Sequence, residues 1–402
     1  MMEFDSVRLL RDAEIREGQR WIYSADFNTR YATDAEGKVR PKNPARIDDE
    51  LNDMRFILDR GGTVAILAHQ GRHGKAENPP IELRGAAAYL SEKLGMQVCY
   101  CETNTGRTAR DYVREMRPGQ IAVMGNTRMH EGEEKNHLPL ANEYTWLGRF
   151  AAIGGFGKAH RANASNVGIL EYIPGFLAES QRREMELLAP WAGSDGSYSV
   201  AILGGVKKEK ITIGLRRLVE TYDCIIPGGI VLNTILKVRG IRVGDSVLED
   251  DGRTFEREMG EVLEGPHAHK IWMPAYVAVA RKEGDEYKPF GNAHRDSGVE
   301  NGYIVADLVT GDSWKHLQRS AREGGRVLMA GTPGLFLDST REMLGHVNGA
   351  RVLILGGDTV SDVGEVDERI TRSTGGGSAL YFIAEGTTPV FEALKRNFIL
   401  SR

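Results

Sequence analysis

Apolar runs of three to six residues recur along the chain, and most of them close on a glycine or a polar turn. Such runs are Trp21 to Asn28, Thr63-Val64-Ala65-Ile66-Leu67-Ala68, Met96 to Cys101 and Gln120-Ile121-Ala122-Val123-Met124 in the first half. The second half has Ser199-Val200-Ala201-Ile202-Leu203, Cys224-Ile225-Ile226, Val327-Leu328-Met329-Ala330 and Arg351-Val352-Leu353-Ile354-Leu355. Runs without polar alternation predict strands covered on both faces, and the helical spacing between them predicts parallel pairing through crossover helices. Leu51, Met54, Ile57 and Leu58 share one helical face. Residues 179–192, where Arg182, Arg183, Glu184 and Glu186 alternate with Met185, Leu187 and Leu188, predict a helix long enough to join two lobes. The polar segment Gly193-Ser194-Asp195-Gly196-Ser197 then marks a boundary. The expected architecture is α/β, with a parallel sheet in each of two lobes at 1–178 and 197–385, an interlobe helix and hinge at 179–196, and a C-terminal tail at 386–402.

A length of 402 residues exceeds what one core usually supports, in keeping with two lobes. Charged residues are 27% and apolar residues 41%, a globular composition. The net charge of −4 argues against a general nucleic-acid binder, so an anionic small molecule would need a local basic cluster. The three cysteines, Cys99, Cys101 and Cys224, lack zinc spacing and fit a reducing compartment, with Cys99 and Cys101 read as small apolar fillers. The N-terminus has no signal-peptide pattern, and no apolar run reaches about 18 residues. The expectation is a soluble cytoplasmic protein without a membrane or nucleic-acid partner.

The candidate chemistry sits where these strands end. Asp26 and Asn28 close the first run, either as ligand contacts at a parallel-sheet edge or as an Asx turn. Arg46 falls at a helix start, where a cation gains nothing from the helix dipole, which points to an anion contact. His69-Gln70-Gly71-Arg72, Asn126-Thr127-Arg128 and Phe156-Gly157-Lys158-Ala159-His160-Arg161 each put basic groups after a strand, and together they describe a basic pocket in an acidic protein. The acidic run Glu131 to Glu134 reads as a solvated face. In the second half, Gly204-Gly205-Val206-Lys207-Lys208-Glu209-Lys210 offers phosphate counter-charges or an exposed helix start. Pro227-Gly228-Gly229 and Gly331-Thr332-Pro333-Gly334 are further glycine turns. Gly356-Gly357-Asp358-Thr359 gives close backbone approach plus a carboxylate suited to Mg²⁺ on a nucleotide phosphate. Ser373-Thr374-Gly375-Gly376-Gly377-Ser378 opens an apolar helical run and presents backbone N–H groups to an anion, or is a tight turn needing glycine.

Taken in order, these segments resemble the phosphoglycerate kinase family along nearly the whole chain. The resemblance is carried by Asp26-Phe27-Asn28, Arg46-Ile47, His69-Gln70-Gly71-Arg72, Asn126-Thr127-Arg128, Phe156 to Ala162 and Pro174-Gly175-Phe176-Leu177. It continues through Ala201 to Gly205, Gly244-Asp245-Ser246, Gly356 to Thr359 and Ser373 to Gly377. It implies the phosphoglycerate kinase fold, with two Rossmann-like lobes, a phosphorylated acid in the first, Mg²⁺ with ATP or ADP in the second, and hinge closure. It also implies a monomer, and a C-terminal tail that returns to the first lobe. Residue by residue, it implies that Asp26, Phe27, Asn28, Arg46, His69, Gln70, Gly71, Arg72, Arg128 and Arg161 hold the acid. It gives Gly204, Gly205, Lys207, Lys210, Gly228, Gly229, Gly356, Gly357, Asp358 and Thr359 to the nucleotide, and Asp358 to the metal. Arg46 would face the reacting carboxylate, Lys207 would follow the transferred phosphoryl group, and Gly376, with Gly375 and Gly377, would steady its charge. The lysine spacing is one residue shorter than the family pattern, which makes Lys208 an alternative to Lys207.

The chain also departs from that pattern. Ser24 stands where the family has arginine, Thr29-Arg30 where it has Val-Pro, Asn163 where it has a second histidine, and Pro227 where it has glycine. Leu337 stands where the family has a ribose-binding glutamate, a loss of roughly 1–3 kcal/mol if uncompensated. Three readings follow. The first is a kinase that moves a phosphoryl group between nucleotide and the carboxylate of 3-phosphoglycerate or a close analogue. The second is a specialised-pathway relative with a changed acid or nucleotide. The third is a catalytically silent sensor or scaffold that binds the phospho-acid.

Overall fold

Strand β1 (Arg20–Ser24) is buried along nearly its whole length and lies at the centre of a parallel sheet. The computed structural model describes residues 3–76, 78–250, 252–364 and 367–400. Residues 1–2 and 401–402, at the outer ends of the ranges expected for the first lobe and the tail, lie outside the described residues. The chain forms two units, Met1–Leu187 with Thr387–Arg402, and Leu188–Gly386.

In the first unit, β2 (Tyr31–Thr33) and β3 (Val39–Pro41) form a small antiparallel hairpin within the polar stretch after Asn28. The remaining strands are β4 (Thr63–Leu67), β5 (Val98–Tyr100), β6 (Ile121–Val123), β7 (Phe150–Ile153) and β8 (Gly175–Leu177). Among the described residues they make a six-stranded sheet in the order β5-β6-β4-β1-β7-β8, with every pairing parallel. Trp21 stacks on its register partner Phe150 at 5.0 Å and packs on Phe176 of β8, which fixes the β1-β7-β8 side by aromatic area. The strand order turns at β1: the chain first builds outward through β4 and then returns to β7 on the other side. In open parallel sheets ligands bind beyond the carboxyl ends of the strands at such a reversal. The helix Pro389–Leu400 belongs to this unit and is joined to it through Asn397, which accepts from Gly175 N–H at 2.8 Å and donates to the carbonyls of Leu170 and Ile173.

In the second unit, β9 (Ser199–Leu203), β10 (Cys224–Pro227), β14 (Arg326–Ala330), β15 (Arg351–Leu355) and β16 (Ile370–Ser373) form a parallel sheet in the order β10-β9-β14-β15-β16. Between β10 and β14 the chain makes β11 (Tyr276–Glu283), β12 (Glu286–His294) and β13 (Tyr303–Leu308), an antiparallel sheet in the order β12-β11-β13. The apolar runs did not mark this sheet. The helix expected over 179–192 is α-helical at Glu179–Leu188 and tightens to a 3₁₀ turn at Ala189–Trp191, where Pro190 ends the α-helical pattern. Among the described residues, no helix is long and apolar enough to cross a membrane.

Candidate active site

The turn after β1 is organised around Asp26. Its carboxylate is 3% exposed, accepts from Arg46 Nη1 at 2.7 Å and from the Asn28 N–H at 3.1 Å, and its own N–H donates to Glu50 Oε1 at 3.0 Å. Burial pushes the Asp26 carboxyl up, but Arg46, His69, the Asn28 N–H and Lys158 together hold it below the usual carboxylate range. Asp26 is therefore an anion that aims Arg46. Gly157 packs directly over this pair, where a Cβ would collide with Asp26 Oδ2. The Phe27 ring is fully buried in the core and anchors the turn from beneath.

The neighbouring strands bring the remaining residues to the same sheet edge. After β4, Gln70 Nε2 donates to the Thr29 carbonyl at 2.7 Å, and the Gly71 N–H donates to Asn28 Oδ1 at 3.2 Å. Gly71 has φ +78° and stands against the Pro79 carbonyl, so glycine is required there, and Arg72 follows it half-buried. After β6, Asn126 joins the two loops: its Nδ2 donates to the Gln70 carbonyl at 2.7 Å while its Oδ1 accepts from Arg128 N–H at 2.9 Å. The Arg128 side chain is 2% exposed and pairs with Glu134. After β7, the short turn Phe156–Lys158 presents His160 and Arg161, and Arg161 Nε donates to His160 Nε2 at 3.0 Å.

Burial draws His69 down to about 3, with the Asp26 carboxylate opposing and the Arg128, Lys158 and Arg161 charges reinforcing the shift. His160 is drawn to about 3 by burial and then by Arg161. Both rings are neutral at physiological pH, so they present one N–H donor each, while the positive charge comes from the arginines. In the acidic run expected to be a solvated face, Glu131 and Glu134 are exposed but Glu133 is not. Glu133 is 2% exposed and accepts from Ser165 N–H and Oγ at 3.2 and 2.5 Å, because the turn at 163–167 folds back over it.

In the second unit, glycines at the ends of β9, β10 and β14 interlock. Gly205 N–H donates to the Thr332 carbonyl, Gly229 N–H to the Pro333 carbonyl and Ile230 N–H to the Gly205 carbonyl, each at 2.8 Å. Gly204 and Gly228 face the Thr332 and Pro333 backbone so closely that no side chain fits. Val206, which follows Gly205, and Leu335, which follows Gly334, are each more than half exposed. Lys207 Nζ meets Asp358 Oδ2 at 2.9 Å, with both side chains largely exposed. A pair this exposed contributes ~0–1 kcal/mol, so an arriving phosphate or cation separates it at small cost. Lys210 starts a π-helical turn, Lys210–Leu215, and burial first, then Lys207, pulls its ammonium down to about 8. Asp358 lies in the first turn of the helix Gly357–Val363, and the buried Thr359 follows it. Gly376, at φ +55°, starts the helix Gly376–Glu385 directly after β16, with Ser373 Oγ accepting from Gly375 N–H at 3.1 Å.

Residues 10–386 match the phosphoglycerate kinase family. The chain belongs to the phosphoglycerate kinase family. It is 29% identical over 376 residues, 90% of this chain and 92% of the relative, to the phosphoglycerate kinase of Pseudothermotoga lettingae. It is likewise 29% identical over 391 residues to that of Thermosipho africanus, covering 93% of this chain and 94% of the relative. The phosphoglycerate kinase fold is shared with the enzyme structure from Coxiella burnetii at a TM-score of 0.72 and 24% identity, over 98% of this chain and 100% of that one. A structure from Pyrococcus horikoshii OT3 superposes at a TM-score of 0.75 and 22% identity, over 98% and 99% of the two chains.

Within the phosphoglycerate kinase pattern, two features escaped sequence reasoning. Ser24, the position where arginine was expected, accepts from the buried Lys158 ammonium at 2.9 Å, and only the motif context of Lys158 hinted at that use. Asp307 at the end of β13 accepts from Ser339 Oγ at 2.7 and 2.8 Å through its two oxygens, and Gly334 packs against its carboxyl group. Burial lifts Asp307 to about 6, and with the bond from Leu335 N–H to the Ala306 carbonyl at 2.7 Å it fixes the segment that carries Leu337. Leu337 itself is half-buried at the start of the helix Asp338–Leu344.

Proposed function

We propose that the protein is a kinase that moves a phosphoryl group between Mg-bound ATP or ADP and the carboxylate of 3-phosphoglycerate or a close analogue. In the forward chemistry a carboxylate oxygen attacks the terminal phosphorus, the bond from that phosphorus to the bridging oxygen breaks, and the nucleoside diphosphate leaves. The observation that carries the reading is the gathering of His69, Arg128 and Arg161 with Asp26 beyond the carboxyl ends of β1, β4, β6 and β7, with Asp26 aiming Arg46; Arg72 follows in the same turn after β4. Such a transfer needs positioning and positive charge rather than a covalent nucleophile.

Arg72, Arg128 and Arg161 suit the phosphate of the acid, with neutral His69 as a donor, and Asp26, Asn28 and Arg46 suit its hydroxyl and carboxylate end. In the second unit, Gly204, Gly205, Gly228 and Gly229 suit the base, Lys207 and Lys210 the phosphates, and Gly375 to Gly377 the charge of the transferred group. Among the described residues, no group of three or more His, Cys, Asp or Glu side chains is placed to hold a metal ion. One exposed carboxylate, Asp358, fits Mg²⁺, which keeps several waters and takes its other ligands from nucleotide phosphates. When bound, Mg²⁺ neutralises charge on the terminal phosphates.

A second reading, a relative specialised for a changed nucleotide, is favoured by the apolar Leu337 at the start of the helix Asp338–Leu344, where the family has a glutamate. A coupled assay with 3-phosphoglycerate, Mg²⁺ and a panel of nucleotides tests both. Turnover with ATP is expected, turnover confined to another donor would select the second reading, and binding of the acid with no turnover from any donor would leave a silent sensor.

A further inference from the structure

The acid-binding unit encloses a lysine that the proposed chemistry does not use. Lys158 is 5% exposed, and a lysine is almost never buried to that degree unless its charge is matched. Its ammonium donates to Ser24 Oγ at 2.9 Å, and it is attracted electrostatically by the Glu133 carboxylate first, then by those of Asp26 and Glu50, with Arg128 opposing. Each of those carboxylates holds a different part of the candidate site. Asp26 takes Arg46 Nη1 at 2.7 Å, and Glu50 takes the Asp26 N–H at 3.0 Å. Glu133 takes the Ser165 N–H and hydroxyl, securing a turn in which Asn166 Nδ2 donates to the Arg161 carbonyl at 3.0 Å. The Lys158 carbonyl itself accepts from Arg161 N–H at 3.1 Å.

We infer that Lys158 is a positioning residue for the acid: its buried ammonium is the counter-charge that keeps the Asp26 and Glu133 carboxylates in place, and through them Arg46 and the Arg161 turn. This rests on the phospho-acid reading of the site. Burial pushes Glu50 up to about 8, so the charges that need Lys158 are those of Glu133 and Asp26. Without that cation Glu133, already pushed up by burial, is favoured to take a proton, and Asp26 loses part of what holds it ionised against Arg46. Loss of a neighbouring opposite charge shifts a carboxyl by about 1–3 pKa units, and the lower end of that range is about a tenfold change in equilibrium, which sets the scale expected for acid binding when the lysine charge is removed.

The test measures binding of 3-phosphoglycerate by calorimetry, with KM for the acid and for the nucleotide, in the wild type, Lys158→Gln and Lys158→Arg. For Lys158→Gln, the Kd and KM for the acid are expected to rise at least about tenfold while the nucleotide KM moves less than about twofold, and Lys158→Arg is expected to return both to within about threefold of wild type. A general loss of fold would move both substrates together and would not be rescued by arginine. Should Lys158→Gln not fold, the double variant Ser24→Arg/Lys158→Gln returns a cation from the adjacent residue and is expected to fold and bind within about threefold of wild type. A folded Lys158→Gln with unchanged acid affinity, an arginine variant without rescue, or a folded double variant that binds tenfold worse each overturns the inference alone. A wild type that does not bind 3-phosphoglycerate overturns the reading of the site itself.

Discussion

Replacing His69 by glutamine should make the chain less sensitive to acid. In the folded protein burial holds this imidazole at about 3, against 6.5 for the free side chain. Between those values the unfolded chain binds the proton and the folded chain does not, so stability is fully present above 6.5 and is withdrawn as pH falls toward 3. The loss approaches about 1.4 kcal/mol per pH unit, and between pH 7 and pH 5 it comes to about 2 kcal/mol for this one residue. Glutamine keeps an N–H donor and has no proton to gain. Urea unfolding of wild type and His69→Gln at both pH values isolates the effect, because any cost of the substitution that does not vary with pH cancels in the comparison. The wild type should lose about 2 kcal/mol more than the variant over that interval. If the two chains lose stability in parallel, His69 is not held neutral by burial, and its role as an uncharged donor to the acid falls with it.

Gly157→Ala places a methyl against Asp26 Oδ2 and close to Arg46, and overpacking of this kind costs about 1–3 kcal/mol. Calorimetry should show acid affinity at least about tenfold weaker, with nucleotide affinity unchanged. Lys207→Ala should lower kcat by about 10²-fold or more with acid binding preserved; an unchanged kcat would move the role to Lys208. Asn397→Ala strands the Gly175 N–H and the carbonyls of Leu170 and Ile173 in the first unit, so chemical denaturation should register a loss of about 2–4 kcal/mol.

Eight strands of the parallel sheets were legible as apolar runs closed by glycine or a polar turn, whereas β7 and β8 are short and β16 reads Ile-Thr-Arg-Ser, with no apolar run to mark it. The candidate residues were picked out because most of them follow the legible runs. The antiparallel sheet was not legible. β12 reads Glu-Tyr-Lys-Pro-Phe-Gly-Asn-Ala-His and is exposed almost throughout, so no apolar face announces it, and its proline and glycine argue for a loop. Glu133 looked solvated because its burial depends on Ser165, a partner 32 residues further on that no local pattern can reveal. Asp26 and Arg46 were each visible as candidates, but their ion pair needs β1 and the following helix to meet, which is a property of the fold.

The placement of Pro389–Leu400 has a consequence for biosynthesis. Residues 188–386 are contiguous, so that unit has every piece it needs before residue 397 is made, whereas the amide of Gly175 waits for Asn397 to be synthesised. The unit that holds residues 3–187 is thus completed after the unit that follows it in sequence, and a chain cut short before residue 389 would carry an open seam along β8.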